Sequence, residues 1–371
     1  MGELRMMLRR ILSVIRKELL ATLKDPKSRT IVVIPVILQT MLFGYVATYD
    51  LDEVPYAVLD QSRSKYSMEL LAKLDGSGIF RRVKTLDNNS QIAGCIDTGD
   101  AMLVLTIPQD FAKKLTAGEV SPVQVITDGR STMTSGLSSG YVASIVGAYN
   151  NQLSQRKPLI QIDTVAWYNP NLISRWGFLA SLLPMMSLSQ VIMLSGLSVA
   201  REREQGTFDQ LLVTPLTPKE ILIGKLVPPL LIGLTQVTLI LMVSVFWFKM
   251  QVVGSFFTLY LTLLIFLVSC VGIGLSISAI SDSMQQVIVY CFVVLMPVML
   301  LSGMATPVRN MPEALQYFTD INPLRFAIDS VRRIYLEGAG LATIAPNFIP
   351  MILVTMVTLP TAAWLFRNKL S

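Results

Sequence analysis

Residues 201–225 read REREQGTFDQLLVTPLTPKEILIGK. Four alternating charges open the stretch, Thr214-Pro215 interrupts it, and Thr217-Pro218-Lys219-Glu220 restarts it. Threonine at the cap, proline at the first helical position and glutamate three residues on form a capping box, in which side chain and backbone satisfy each other's free donors. The spacing predicts a helix beginning at Arg201, with Phe208, Leu211 and Leu212 on its apolar side, and a second one beginning at Pro218. The second continues into an apolar run where Pro228-Pro229 predicts a kink. A plain juxtamembrane linker has no use for a capped restart and an apolar face.

What flanks this stretch sets the fold class. Apolar residues make up 52% of 371 and charged residues 15%, with a mean hydropathy of +0.55. Windows free of Asp, Glu, Lys and Arg occur at 30–49, 176–200, 226–248, 250–281, 283–308 and 338–366. Each holds a helix of about 20 residues, roughly the length that crosses a bilayer core. The expected protein is therefore α-helical and membrane-integral, with six transmembrane helices at 30–49, 176–200, 226–248, 255–280, 284–303 and 345–366. A charged leader of 29 residues, with no small-x-small cleavage site after the first span, reads as a retained anchor rather than a signal peptide.

The net charge of +6 is not spread evenly. Residues 1–29 carry eight basic and three acidic side chains, whereas residues 50–175 carry twelve basic and thirteen acidic. Positive charge beside the first span fixes topology and meets anionic lipid, so nucleic acid is not an expected partner. Lys and Arg in the short segments place both termini and residues 201–225 in the cytoplasm, and residues 50–175 outside. There is no histidine, and only Cys95, Cys270 and Cys291. These exclude histidine-based metal sites, histidine bases and a disulfide framework.

In chain order, residues 1–29 form an amphipathic cytoplasmic helix. Leu4, Leu8, Ile11, Leu12, Ile15 and Leu19 lie on one face, and Arg5, Arg9, Arg16 and Lys17 on another. Two readings stand side by side: an elbow that cradles a partner, and a membrane-surface anchor. Residues 50–175 change pattern to an α/β domain. Strands are expected at 56–59, 80–86, 102–107 and 123–127, helices at 66–74 and 110–115, a further helix capped by Asn89, and a longer one over 131–155. The domain carries no phosphate loop, metal cluster or nucleophile motif and reads as a non-catalytic cap or partner-docking domain. Gly272 and Gly274, with Ser269, Ser276 and Ser278, are small residues suited to close helix packing, or to lining a path. Residues 304–340 hold two short amphipathic helices, at 312–318 and from Leu324 to Ile334, expected to be outer and re-entrant. Residues 367–371 form a cytoplasmic tail.

The run at 201–225 closely resembles the cytoplasmic loop of the ABC transporter type-2 permease family, especially bacterial export permeases with a large extracytoplasmic domain between the first two spans. Arg16-Lys17-Glu18 and Lys24-Asp25-Pro26 look like that family's elbow, and Ser302-Gly303-Met304, Pro307, Met311-Pro312, Asn322-Pro323 and Arg332 like its outer segment. The resemblance implies ATPase-coupling roles for Arg201, Glu202, Arg203, Glu204, Gly206, Thr207, Phe208, Leu211, Leu212 and Pro215, together with Lys17, Glu18, Asp25 and Pro26. It implies an outer gate at Gly303, Pro307, Pro312, Asn322, Pro323 and Arg332. It also implies a division of labour. This chain lacks G-x-x-x-x-G-K-[ST]: Leu226 follows Gly224-Lys225, and Lys219 stands where the first glycine belongs. ATP-Mg is then expected on a separate ABC ATPase subunit, with no cofactor, metal or catalytic residue in this chain. Implied partners are a second permease copy or sister permease, membrane lipid and a periplasmic adaptor, at a bacterial inner membrane. The function so implied is export, by alternating access, of an amphipathic or hydrophobic substrate, drug-like or lipid-like. Uncharged central spans favour such a cargo over an ion or proton path. The alternative is an ATPase-coupled signalling or force-transmitting protein with the outer domain as sensor; no acid-base or nucleophilic constellation supports a membrane enzyme.

Overall fold

A computed structural model describes residues 2–24, 26–46, 53–130, 132–153, 174–206, 217–304 and 306–368. The chain divides into two compact units, residues 49–165 and the remainder.

Two helices open the chain, α1 (Gly2–Lys24) and α2 (Pro26–Val46). The unit that follows contains β1 (Val54–Asp60), α3 (Lys65–Asp75), β2 (Phe80–Thr85), α4 (Ser90–Asp97), β3 (Leu103–Ile107), α5 (Phe111–Ala117), β4 (Gln124–Thr127) and α6 (Thr132–Leu153). Its sheet has the order β2-β1-β3-β4, parallel except for the antiparallel β3–β4 pair. β1 and β3 are central and covered on both faces, so they are apolar throughout rather than alternating. Tyr56, Val58, Leu103 and Leu105 face a core shared with α3, α5 and α6; Ala57, Leu59 and Val104 face Cys95 of α4. The edge strand β2 exposes Arg81, Arg82 and Lys84, which discourages pairing with another sheet. One local expectation is corrected. Asn89 precedes α4, but its side chain makes no capping bond; Gln91 Oε1 accepts from Asp87 N instead, at 2.9 Å.

The other unit continues with α7 (Ser174–Glu204), α8 (Pro218–Met242, extended by a π turn Val243–Trp247), α9 (Phe256–Ile280), α10 (Met284–Leu300), α11 (Glu313–Thr319), α12 (Pro323–Arg332, followed by a π turn Arg333–Glu337) and α13 (Leu341–Asn368). Among the described residues, four stretches are long and apolar enough to cross a membrane: Arg175–Glu204, Glu220–Trp247, Phe256–Ile280 and Leu341–Phe366. The apolar part of α2, Val33–Val46, and α10 are shorter; at 1.5 Å per residue the 17 residues of α10 reach only roughly 25 Å. The helical bundle is built around α9, which packs against α7, α8 and α13. Gly272 and Gly274 act there as packing positions. A Cβ on Gly274 would stand 1.9 Å from Ser195 Oγ of α7, and one on Gly272 would stand 2.2 Å from Thr358 Oγ1 of α13. α8 continues past Pro228 and Pro229.

One sequence expectation is revised by this unit, and two helices gain detail. Residues 201–204 do not begin a new helix; they are the last turn of α7, which ends at Gly206 in a left-handed conformation (φ 67°) that glycine adopts without strain. The apolar face of α1 is divided: Ile11 and Val14 are buried, whereas Leu8 and Leu12 are exposed. α11 buries only Thr319 and leaves Leu315, Tyr317 and Phe318 exposed, so its aromatic side faces away from the bundle.

Candidate functional site

Three helices remote in sequence meet at one end of the bundle. α1 docks along the start of α8, with Val14 against Gly224, where a Cβ would come within 2.5 Å of Val14 Cγ1. A glycine is needed for that approach. It brings Glu18 of α1 next to Lys225, the residue after the glycine. α7 packs on the same part of α8 and contributes Ser198 and Glu202, one helical turn apart on one face.

Lys225 is the centre of this arrangement. Its side chain is 2% exposed, and its ammonium lies 2.6 Å from Glu202 Oε2 and 3.2 Å from Glu18 Oε1. It also donates to Ser198 Oγ at 3.2 Å. The Glu202 contact is the shortest of these three ion-pair and hydrogen-bond contacts of the ammonium. Glu202, 9% exposed, is reached from the other side by Lys17 Nζ at 2.9 Å, and Lys17 is 56% exposed. The network is thus two lysines and two glutamates in balance, with Lys225 deep and Lys17 at the rim. A buried ammonium is tolerated only with such partners.

The next two residues of α7 reach elsewhere. Arg203 donates to the carbonyls of Ser281 (2.9 Å) and Ala279 (3.4 Å) at the C-terminal end of α9. Glu204 accepts from Met284 N at 3.4 Å, the first residue of α10. A cation on a helix C-terminus and an anion on a helix N-terminus both complement the backbone dipole. The last turn of α7 therefore holds α1 and α8 by Glu202, the end of α9 by Arg203 and the start of α10 by Glu204, while Arg201 is exposed. Beside it, Thr217 and Glu220 form the capping box expected from their spacing: Glu220 N donates to Thr217 Oγ1 (3.3 Å) and Thr217 N to Glu220 Oε2 (2.6 Å). Thr207, Phe208, Leu211, Leu212, Pro215 and Asp25 lie outside the described residues, and Pro26 opens α2.

The residues expected at the outer gate fall in three places. Asn322 caps α12, accepting from Leu324 N (3.0 Å), and donates to Val298 O of α10 (2.7 Å); Pro323 is the first residue of that helix. Gly303 and Arg332 line a cavity of about 340 Å³ with Ser302, Arg325, Asp329 and Asn347, and Arg332 Nε donates to Ser181 Oγ at 2.6 Å. Pro307 and Pro312 flank the short turn Val308–Asn310 and α11. α12 buries Leu324, Ala327, Ile328 and Val331, the face read from their spacing, against α7, α9 and α13.

Lys225 and Ser198 were missed by sequence reasoning. A lone lysine after a glycine at the end of a charged loop reads as solvated. The available signal was its place immediately before an apolar span, where an unpaired charge is costly.

Residues 27–364 match the family described as ABC-2 family transporter protein. The chain is 37% identical to the probable multidrug ABC transporter permease YbhR of Escherichia coli K12 over 98% of this chain and 100% of that protein. It is 29% identical to the probable multidrug ABC transporter permease YbhS of the same organism, over 94% and 92%. With the E. coli inner membrane transport permease YhhJ it shares 27% identity over 98% of each. With nearly the whole length covered on both sides, the chain belongs to the ABC-2 family of transporter proteins.

Proposed function

We propose that this chain is the membrane permease subunit of an ATP-driven exporter, and that the ion network on Lys225 transmits the stroke of a separate ATPase subunit. The observation that carries the reading is that Glu202 and Lys225, at the two ends of the charged loop, are tied through one buried network to α1. A partner pressing on the loop or on α1 then moves α7 and α8 together, because breaking the network strands a buried charge. Arg203 and Glu204 pass the same displacement to α9 and α10.

In this reading the bundle end with residues 201–225 faces the cytoplasm, with both chain termini, and the α/β domain lies outside. α2 and α10 complete six spans, and two permeases, identical or sister chains, pair against two ATPase subunits that hold ATP-Mg. α11 and α12 form the outer gate. The cargo is amphipathic or hydrophobic, in keeping with spans free of charge at mid-depth and with relatives named for multidrug transport. Release to a periplasmic adaptor belongs to the same reading.

Tagged protein purified in mild detergent tests it. The expected result is an ATPase subunit that co-purifies with the wild type and whose activity in liposomes rises with a hydrophobic cargo; Glu204→Ala with Arg203→Ala leaves binding but removes the stimulation. No ATPase in the purified material, or stimulation unchanged in the variant, overturns the reading.

A further inference from the structure

The polar cavity at Gly303 and an apolar groove follow one another along a single face of α13. Asn347 lines the cavity of about 340 Å³, and Pro350, Leu353, Val354, Val357 and Thr358 line a second hollow of about 300 Å³. Asn347, Pro350, Val354 and Thr358 recur at intervals of three and four, which puts the two hollows on the same side of the helix. From Asn347 to Thr358 the helix rises roughly 16 Å, close to half of a bilayer's hydrocarbon thickness of about 30 Å. Cavity and groove together have the depth of one leaflet.

The turn between α11 and α12 joins the two hollows. Asp320 and Ile321 close the upper end of the groove, and Asp320 Oδ1 accepts at 2.5 Å from Nη1 of Arg325, a residue that lines the polar cavity. The Arg325 guanidinium lies over the Phe326 ring, 5.2 Å from its centre. Its hydrogen bonds among the described residues, to Thr319 and Asp320, both leave from Nη1, so Nε and Nη2 are left for a ligand. Arg332 lines the same cavity, and the carboxylate there, Asp329, already accepts from Asn347 Nδ2 at 2.8 Å and faces Arg333 at 3.9 Å. Two guanidiniums beside a carboxylate that is already engaged favour an anion, and their planar donors suit a phosphate.

We infer that this face of α13 holds a membrane phospholipid, with its phosphate on Arg325 at the polar cavity and one acyl chain in the groove down to Thr358. A polar head and an apolar tail in this order, at this separation, are what the two hollows offer. A helix from a second copy of the chain would fill the groove but bring no phosphate to Arg325. The site requires only that α13 spans a membrane, so it stands or falls separately from the export reading.

The test uses the full chain in a maltoside detergent, which carries no phosphate, and two probes with the same diazirine-bearing acyl chain: a phosphatidic acid and the diacylglycerol that lacks only its phosphate. Peptide mapping should find the phosphatidic acid on residues 350–358, and the diacylglycerol there only weakly. Val357 is 66% exposed, so Val357→Trp fills the groove without entering the core and should reduce that labelling by about tenfold, the mark of a lost ligand contact. Arg325→Gln should lower the phosphatidic acid signal by about fivefold, the scale of one partly exposed charged contact, and leave the diacylglycerol unchanged. Arg325→Lys, which keeps the charge and the pairing with Asp320, should restore part of it. Equal labelling by the two probes in the wild type, or labelling of residues 350–358 unaffected by Val357→Trp, overturns the site. So does a Val357→Cys chain that forms a disulfide with its own copy while excluding the phosphatidic acid, since the groove is then a contact between copies.

Discussion

The two units hold their charges in opposite ways. In the helical unit, Lys225 is 2% exposed and joins residues from α1, α7 and α8 that are up to 207 positions apart in the chain. In the α/β domain the ion pairs are wetter, whether local, as Lys114 with Asp110 one turn earlier, or between distant residues, as Arg81 with Glu53. The helical unit therefore stakes its assembly on a few buried charges, whereas the domain relies on two apolar layers about a sheet and carries its charges as decoration. A displacement of one helix in the first is felt by three others. In the second, pairs such as Lys114 with Asp110 lie at the surface and join no other element.

The largest expected effect comes from breaking the centre of the network. Lys225→Met leaves Glu202 and Glu18 facing a buried apolar side chain and should destabilise the helical unit by roughly 3–5 kcal/mol, the scale of an orphaned buried partner. The check is the apparent melting temperature of the full chain in detergent. Glu202→Gln combined with Lys225→Met should recover part of the loss, since both charges then leave together. In contrast, Asp110→Ala in the α/β domain should leave the melting temperature where it was. A domain variant as harmful as Lys225→Met would erase the distinction between the units.

Next in size is the contact that brings α1 into the network. Gly224→Ala places a methyl group against Val14 and should cost about 1–3 kcal/mol, the usual scale of overpacking. Hydrogen exchange over α1 is the readout: protection should fall there and at Lys225, and remain in the sheet. Val14→Ala in the same chain should restore part of it. Protection lost only in α1 would mean that the helix is docked but not coupled.

How far this contrast was legible in the sequence differs by region. The domain was read almost completely, because strand runs of β-branched residues and capped helices are local signals, and all four strands lie within two residues of their expected ends. The bundle helices were equally plain as uncharged windows, although the two shorter ones lack the length that makes a span unambiguous by itself. What the loop motif could not show was continuity. Arg201 to Glu204 looked like a helix start because charges follow an apolar run, yet α7 keeps its hydrogen bonding through them and stops only at Gly206. The partners of Lys225 were hidden for a different reason. Spacing rules see three or four residues along a helix, and the Glu18–Lys225 pair is fixed by how α1 lands on α8, which hangs on one glycine.

A smaller effect in the α/β domain is set by pH. Burial raises the Tyr149 hydroxyl to about 12, with Glu69 adding to it, and burial with Asp75 raises Tyr56 further. A group whose folded pKa lies above its unfolded value of about 10 stabilises fully below that value and loses its contribution as pH rises through the folded one. The α/β domain should therefore weaken above about pH 10 and lose this stabilisation near 12. A late phase in the phenolate absorbance should accompany the loss, and Tyr149→Phe should diminish that phase. Simultaneous titration of all tyrosines at the ordinary value would show that the apolar layers do not seal the domain.

The smallest effect is the most discriminating within the network. Lys17 touches the same glutamate as Lys225, but more than half of its side chain is in solvent. Water screens that pair, so Lys17→Ala should shift stability by less than about 1 kcal/mol while Lys225 stays in place. If the four groups instead behave as one unit, Lys17→Ala will approach Lys225→Met in magnitude, because Glu202 would then depend on both lysines for its ionised state. Measuring each variant alone and the two together separates these cases. Additive losses make Lys225 the anchor and Lys17 a rim contact. A double variant no worse than Lys225→Met alone makes Lys17 dependent on the anchor, so a partner gripping α1 acts on α7 only through the buried lysine.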